Sequence, residues 1–195
     1  ATVHEIPAVF FEMLWGQFNE SGVISEGLIG NFDSIRGPEK LALAEPIAMN
    51  NGGFALDFWI QIDEFKNSSM LKGENMELAL KKNGTIEFIL KDKKEEISLT
   101  SDFNRLEKKE KHHVAILADA NAKICYMLID GSICDGGGQE IFGFTCFTNE
   151  LEDLEEHNLF TEKFPGQFDK LRIYGKQMFT SHFVSNFNAE KNNMQ

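Results

Sequence analysis

Apolar and polar residues alternate along the middle of the chain, from residue 40 onward. In residues 54–62 every second position is a large apolar residue, and small, polar or aromatic side chains stand between them. Successive side chains of a β-strand point to opposite faces, so this pattern predicts a strand with one apolar face and one mixed face. The same period of two recurs in residues 76–80 and 86–90. We therefore expect a meander of β-strands.

Two dipeptides predict tight turns between strands. Asn83-Gly84 separates two alternating runs, and Asp130-Gly131 follows the apolar run 124–129. Both pairs tolerate the positive φ angles that a two-residue hairpin needs. Further strands are predicted at 114–118 and 168–174, with only a helical turn around residues 180–187. Many short strands without a long amphipathic helix indicate an all-β protein, an antiparallel β-sandwich.

The first 37 residues are the least regular part of the chain. We expect 1–37 to be an irregular N-terminal extension packed on a main domain at 38–190, with 191–195 as a tail. The apolar run Ala8–Trp15 fits a strand and a short helix equally well. The chain opens at Ala1, without an initiator Met or a recognisable signal peptide. This suits a mature secreted chain or a fragment of a larger protein.

Composition narrows the classes of partner. The 195 residues include 19 basic and 31 acidic side chains, a formal net charge of −12. Without a basic patch, nucleic acid is a poor partner, and so is an anionic membrane surface. No apolar run approaches the roughly 18 residues of a membrane span, so no membrane insertion is expected. Three cysteines argue against a disulfide scaffold, and Cys125, inside an apolar strand, is predicted to be a buried structural thiol rather than a nucleophile.

Three stretches, in this order, are similar to motifs of one superfamily. Gly52–Asp63 looks like its Phe-Thr-Leu-x-x-Trp-Val strand. His112–Asp119, followed by Tyr126–Gly131, is similar to its Trp-x-His-Val-Ala and Tyr-Val-Asp-Gly hairpin. Gly166–Tyr174, followed by Phe179–Ser181, looks like its closing Gly-x-Ile-Asp-x-x-Arg-Ile-Tyr element. The chain thus resembles the concanavalin A-like lectin/glucanase superfamily, in its laminin-G-like branch.

This resemblance implies a jelly roll of two antiparallel sheets that often binds glycans, with calcium as a frequent cofactor. The sequence departs from the family at His112, where Trp is common, and at His182, where an acid is common. Hydrolytic members of the superfamily use a Glu-x-Asp-x-x-Glu strand, which places two carboxylates on one face. No aspartate here has a glutamate two positions before it. The resemblance therefore favours a protein that is not an enzyme, and no catalytic residue is nominated.

The mixed face of the strand at 54–62 supplies the candidate ligand site. It carries Asp57, Trp59 and Gln61. An aromatic ring can stack on the apolar face of a pyranose while a carboxylate and an amide bind its hydroxyls. The competing interpretation is that Trp59 is a packing residue, covered by the N-terminal segment.

Metal ligation has weaker support. His112 and His113 are adjacent in a predicted strand and point to opposite faces, so they cannot bind one ion together. An acidic run accompanies His157 and would suit calcium, although a charge run is more often a solvated face. This run consists of Glu150, Glu152, Asp153, Glu155 and Glu156. The metal, if any, stays unknown at this stage.

Taken together, the sequence predicts a non-catalytic carbohydrate-binding (lectin-like) or adhesion module whose partner is a glycan or glycoprotein. We expect it outside the cytoplasm, in an extracellular, cell-surface or periplasmic setting. One alternative is a glycoside hydrolase or lyase of the same fold, with two carboxylates about 5–10 Å apart in an open cleft. The other is a structural or protein-interaction domain with a contiguous apolar surface patch.

Overall fold

Two antiparallel β-sheets pack face to face in a computed structural model that describes residues 22–134, 144–147, 151 and 155–194. The strands are β1 Leu28–Ile35, β2 Lys40–Ile47, β3 Gly53–Ile62, β4 Ser68–Lys72, β5 Met76–Leu80, β6 Ile86–Lys91, β7 Glu96–Thr100, β8 Lys111–Asp119, β9 Ile124–Ile129, β10 Ser132–Ile133, β11 Phe144–Cys146, β12 Glu156–Thr161 and β13 Gly166–Tyr174. One described helix, α1, spans Thr180–Met194. The predicted all-β class and antiparallel β-sandwich are confirmed.

The first sheet has the strand order β1-β13-β3-β8-β9-β10, with β11 also paired to β9. The second sheet has the order β2-β12-β4-β5-β6-β7. β3 lies in the interior of the first sheet, where it pairs with β13 on one side and β8 on the other. Its mixed positions are therefore flanked by two further strands.

The main core lies between the sheets, and the alternation seen in the sequence supplies it. Leu56, Phe58 and Ile60 of β3 are fully buried there. The Phe58 ring meets Phe168 of β13 edge to face, with ring centroids 5.2 Å apart. Burying large apolar side chains on one face of each sheet is the main source of stability for a sandwich of this kind.

Both predicted turns are confirmed. Gly84 adopts φ 83° in the connection between β5 and β6, which pair along their whole length. Asp130 and Gly131 adopt φ values of 51° and 76° between β9 and β10. A residue without a Cβ enters this left-handed region at no steric cost, which explains why glycine stands at both turns.

The segment predicted to be an irregular extension contains a regular strand. Leu28–Ile35 forms β1, which pairs antiparallel with β13 at the edge of the first sheet. The glycines around it had suggested irregular structure, but its pairing partner lies more than 130 residues away and leaves no local signal. The run Ala8–Trp15 lies outside the described residues.

Helix α1 lies on the outer face of the first sheet and extends well beyond the predicted turn at 180–187. Phe183 packs there in a second, smaller apolar cluster with Leu117, Tyr174 and Met178. Ile24 and Leu28, which precede and begin β1, join the edge of this cluster. The outer face of the first sheet is thus a second packing layer. Among the described residues, no helix is both long and apolar enough to cross a membrane.

Candidate functional site

The mixed face of β3 lies against α1. Asp57 pairs in register with Arg172 of β13, and Trp59 pairs with Lys170 of β13 and with His113 of β8. Because side chains of paired residues point to the same face of a sheet, the alternation that fills the core also gathers these polar groups on the other side. This outer face carries the candidate site.

Asp57 is fully buried and accepts four hydrogen bonds. Arg172 donates from Nε to Oδ1 and from Nη2 to Oδ2, both at 2.7 Å. His113 Nε2 lies 2.9 Å from Oδ2, and Asn186 Nδ2 of α1 lies 3.1 Å from it. Burial pushes the pKa of Asp57 upward, but the hydrogen bonds from His113 and Arg172 outweigh it and hold the pKa below its ordinary value. Asp57 is thus a buried carboxylate that stays ionised.

Glu190 of α1 places a second carboxylate beside the first. It accepts hydrogen bonds from Arg172 Nη1 and Nη2 at 3.1 and 3.0 Å, from Lys170 Nζ at 2.7 Å and from Trp59 Nε1 at 2.8 Å. We call Arg172, Lys170 and Trp59 the carboxylate cradle. Burial raises the pKa of Glu190, but the hydrogen bonds from Arg172 and Lys170 lower it by more, so the net shift is downward.

The cluster is electrically balanced. The two cations Arg172 and Lys170 face the two carboxylates Asp57 and Glu190. Buried charge is tolerated when it is paired and hydrogen-bonded, and this arrangement meets both conditions. Among the described residues, His113 Nδ1 is one of the few buried polar side-chain atoms without a hydrogen-bond partner.

The three predicted ligand-binding residues have different positions in this arrangement. Asp57 lies inside the cluster, and Trp59, only 1% exposed, lies beneath α1. The Trp59 ring stacks on Phe187 of α1, with centroids 5.9 Å apart, and lies 5.3 Å from the His113 ring. Helix α1 therefore occupies the side of Trp59 on which a sugar would stack. Gln61, two residues further along β3, is only partly buried.

An open groove of about 650 Å³ lies at the end of this face. Its lining includes Trp59, Gln61, Lys111, Phe187 and Asn193. Trp59 is only 1% exposed and contributes little surface, whereas Phe187 is partly exposed. The groove thus combines a partly exposed aromatic ring with amide, ammonium and carboxylate groups, the last from Glu107, Glu110 and Asp130, which is a mixture that polar organic ligands can use.

One side of the groove is fixed by His112 and Asp130. His112 Nδ1 lies 2.7 Å from Asp130 Oδ2, and His112 Nε2 accepts the backbone N–H of Glu107 at 3.0 Å. Asp130 Oδ1 also accepts the backbone N–H of His113 at 2.9 Å. Both ring nitrogens of His112 are engaged within the protein, so this histidine shapes the groove.

Several residues that build the site were not singled out from the sequence. Arg172 lies inside the motif at Gly166–Tyr174, which by itself predicts no role for it. Asn186, Phe187 and Glu190 belong to the helix, at spacings of one, three and four residues that place them on one face. Two of those three are polar, so the buried face of the helix has no apolar periodicity by which the sequence could have identified it.

No group of three or more potential metal-ligating side chains occurs in the described part of the chain. The acidic run predicted as a calcium site lies partly outside the described residues, at 150 and 152–153. Within it, Glu156 is buried and its carboxylate accepts the backbone N–H groups of Glu74 and Asn75 in the β4–β5 turn. Glu155 and His157 are exposed. Calcium binding stays a prediction.

Cys125 is buried in β9, and burial raises the pKa of its thiol to about 12. A thiol with so high a pKa is almost wholly protonated at neutral pH, which makes it a poor nucleophile. This supports the structural role predicted from its apolar surroundings.

No family model and no curated protein matches the chain. Solved structures do match. A structure titled for the cell entry of botulinum neurotoxin type C through two ganglioside molecules has a TM-score of 0.63 and 14% identity. The match covers 82% of this chain and 42% of that one. The binding domain of botulinum neurotoxin DC in complex with SialylT gives 0.61 and 12%, with the same two coverages.

The botulinum neurotoxin type G receptor-binding domain gives a TM-score of 0.60 at 10% identity, over 87% of this chain and 46% of that one. The chain therefore spans less than half the length of these matched structures. At such low identity the similarity concerns the fold, and it identifies a β-sandwich that also occurs within toxin binding domains.

Proposed function

We propose that the chain is a non-catalytic glycan-binding or adhesion module with a laminin-G-like, concanavalin A-like jelly roll. In this proposal it acts outside the cytoplasm, in an extracellular, cell-surface or periplasmic setting, on a glycan or glycoprotein. The observation that carries the proposal is the groove of about 650 Å³ beside Gln61, which joins an accessible aromatic ring to polar side chains.

Each part of the groove has a role in this proposal. Phe187 offers its partly exposed ring to the apolar face of a sugar, and its stacking on Trp59 holds that ring in place. Gln61 and Asn193 supply amide groups for sugar hydroxyls, and Lys111 supplies an ammonium group. Asp57 does not contact the sugar in this proposal; it accepts a hydrogen bond from Asn186 and so holds α1 in position.

The matched structures give independent support at the level of function class. Their titles associate botulinum neurotoxin type C with gangliosides and the DC binding domain with SialylT. The same fold in this chain, together with a groove of suitable chemistry, favours glycan binding over the hydrolase and lyase alternative.

The test is a glycan array probed with the purified chain, in parallel with calcium and with a chelator. We expect reproducible binding that falls roughly tenfold in Phe187→Ala, the loss of about 1.4 kcal/mol that one aromatic stacking contact supplies. A calcium-dependent signal would add the metal to the site. Gln61→Ala should weaken the same glycans.

The matched control is Phe160→Ala, which removes an equally large and partly exposed ring from β12 on the other sheet. It should leave glycan binding unchanged. Silence across the array in both buffers, from a chain shown to be folded, would contradict the proposal and favour a protein-interaction domain instead.

A further inference from the structure

The carboxylate cradle directs four hydrogen bonds at the two oxygens of Glu190. They come from Arg172 Nη1 and Nη2, Lys170 Nζ and Trp59 Nε1, at 2.7 to 3.1 Å. We propose that this cradle is a binding site for the carboxylate of an acidic sugar, and that Glu190 fills it as an internal ligand. This inference rests on the proposed function and names its ligand class.

The donors are selective for a carboxylate. The planar guanidinium of Arg172 reaches both oxygens of Glu190 at once, an arrangement that matches the geometry of a carboxylate group. Lys170 adds a positive charge, and the indole N–H of Trp59 adds a donor that cannot accept. A neutral hydroxyl would leave most of these donors unsatisfied.

Charge balance requires that any replacement for Glu190 be an anion. With Glu190 in place, two cations face two carboxylates. Its departure would leave Arg172 and Lys170 facing Asp57 alone, with one positive charge uncompensated beside the buried Arg172 and the partly exposed Lys170. Such a charge is costly without a partner, so the vacated cradle would favour a carboxylate over water or a neutral sugar.

Helix α1 is held by contacts that a ligand could replace. The buried residues on its face are Phe183, Asn186 and Glu190, so two of the three are polar. The helix also contains four asparagines, at positions 186, 188, 192 and 193. Asparagine is a weak helix former, so little of the stability of α1 is intrinsic. The hydrogen bonds that Glu190 accepts are of the same kind that a ligand carboxylate would accept, so a ligand could take the place of this side chain.

The cradle adjoins the groove. Trp59 belongs to both, because its indole N–H faces Glu190 and the residue also lines the groove. Lys170 pairs with Trp59 across β13 and β3, and its side chain is 36% exposed, which leaves the cradle accessible from one side. A sugar ring against Phe187 would thus have a carboxylate site next to it once Glu190 withdraws.

The experiment empties the cradle with Glu190→Ala and follows the indole N–H signal of Trp59 by NMR. The chain has two tryptophans, so Trp59→Phe assigns the signal. Acetate is the first probe, followed by the methyl glycosides of N-acetylneuraminic acid and glucuronic acid, with methyl galactoside as the neutral sugar. We expect acetate and at least one acidic sugar to shift the signal, and the acidic sugar to bind at least tenfold more tightly than to the unaltered chain.

Three further variants make the result decisive. Glu96→Ala, at an exposed position that begins β7, removes one negative charge elsewhere and should give no gain. Lys170→Gln added to Glu190→Ala should reverse the gain. Glu190→Gln keeps the size of the side chain without its charge, and it should also strengthen the binding of acidic sugars. It replaces Glu190→Ala in the experiment should that variant fail to fold.

The contrary results are distinct. A Trp59 signal indifferent to acetate, or shifted by acetate but by neither acidic sugar, would overturn the cradle as a sugar site. Methyl galactoside should bind Glu190→Ala and the unaltered chain equally. If the acidic sugars fail this test but neutral glycans still bind at Phe187, the cradle is excluded as a sugar site and the proposed function stays intact. Loss of all glycan binding would contradict both the cradle and the proposed function.

Discussion

Arg172 and Asp57 face each other across β13 and β3 and are joined by two hydrogen bonds of 2.7 Å. Both side chains are buried, at 3% and 0% exposure. The pair is the link between the sheet and the helix, because Asp57 also binds Asn186 and Arg172 also binds Glu190. The stability of the whole outer face therefore depends on it.

Removing one partner should cost far more than removing both. We expect Arg172→Met to lower the free energy of unfolding by about 3–5 kcal/mol, because Asp57 is left as an uncompensated buried charge. Asp57→Leu combined with Arg172→Met leaves Lys170 and Glu190 balanced and should be more stable than Arg172→Met alone. Urea denaturation of Arg172→Met, Asp57→Leu and the double variant measures this, and a double variant as unstable as the sum of the two single variants would contradict it.

Stability should fall in acid, and the two buried carboxylates set the window. The pKa values of Asp57 and Glu190 lie below their ordinary values of 3.8 and 4.5 in the folded protein. Such groups stabilise the fold fully above the ordinary pKa, and that contribution is lost as the pH falls through the lowered folded-state pKa. We expect urea midpoints to be flat from pH 7 to about 5 and to decline below pH 4.5.

Glu190→Gln is the control for this pH dependence, because glutamine does not titrate. Its decline in acid should be shallower than that of the unaltered chain and should start closer to the ordinary pKa of Asp57. An identical slope in the variant would exclude Glu190 as a source of acid sensitivity.

The three cysteines should differ sharply in reactivity. Cys146 is exposed and should react with iodoacetamide at pH 8 before the others. Cys125 and Cys134 are buried, and the thiol of Cys125 has a pKa raised to about 12, so both should label only after unfolding. Mass spectrometry of labelled peptides, with and without urea, distinguishes them. Rapid native labelling of Cys125 would contradict its position in β9.

Gly53 begins β3 at a position where no other residue fits. Its φ is 131°, and a Cβ there would lie 2.0 Å from the carbonyl oxygen of Ala118 on the paired strand β8. We expect Gly53→Ala to lower the free energy of unfolding by at least about 2 kcal/mol, through backbone strain and a displaced strand.

Gly37→Ala is the matched control, because nothing lies within 4 Å of a Cβ at that position. It should change stability by less than about 0.5 kcal/mol, as an open surface position allows. Equal melting temperatures for the two glycine variants would show that the β3–β8 pairing tolerates a side chain at Gly53.

The strands were predictable because their physical signal is local. In β3 the alternation of Phe54, Leu56 and Phe58 with smaller or polar residues marks one buried face, and the register follows from it. The turns at Asn83-Gly84 and Asp130-Gly131 were predictable for the same reason, since positive φ is a property of the residues at the turn. Strand β1 had no such signal, because its partner β13 is distant in sequence.

The candidate site was only partly predictable, because its environment is created by a helix with a polar buried face. The sequence identified Asp57, Trp59 and Gln61 as the mixed face of β3, and the structure places them side by side along it. Nothing in the sequence indicated that Asn186 and Glu190 would cover that face, since amphipathic helices are recognised by apolar periodicity. The partners of Asp57, Arg172 and Asn186, are more than 100 residues away in sequence and come near it only in the folded chain.

The order of strands in the two sheets also constrains how the chain reaches this structure. In the second sheet, β4 to β7 are neighbours both in sequence and in space, so they need only short loops to close. In the first sheet, β3 pairs with β13, which follows it by about 100 residues, and β1 also pairs with β13, for example Leu28 with Tyr174. During synthesis, the hairpins of the second sheet can form while the chain is still emerging from the ribosome, whereas the first sheet stays open until its last strand appears. The mixed face of β3 therefore acquires β13 and α1 as neighbours only after those later segments of the chain have been made.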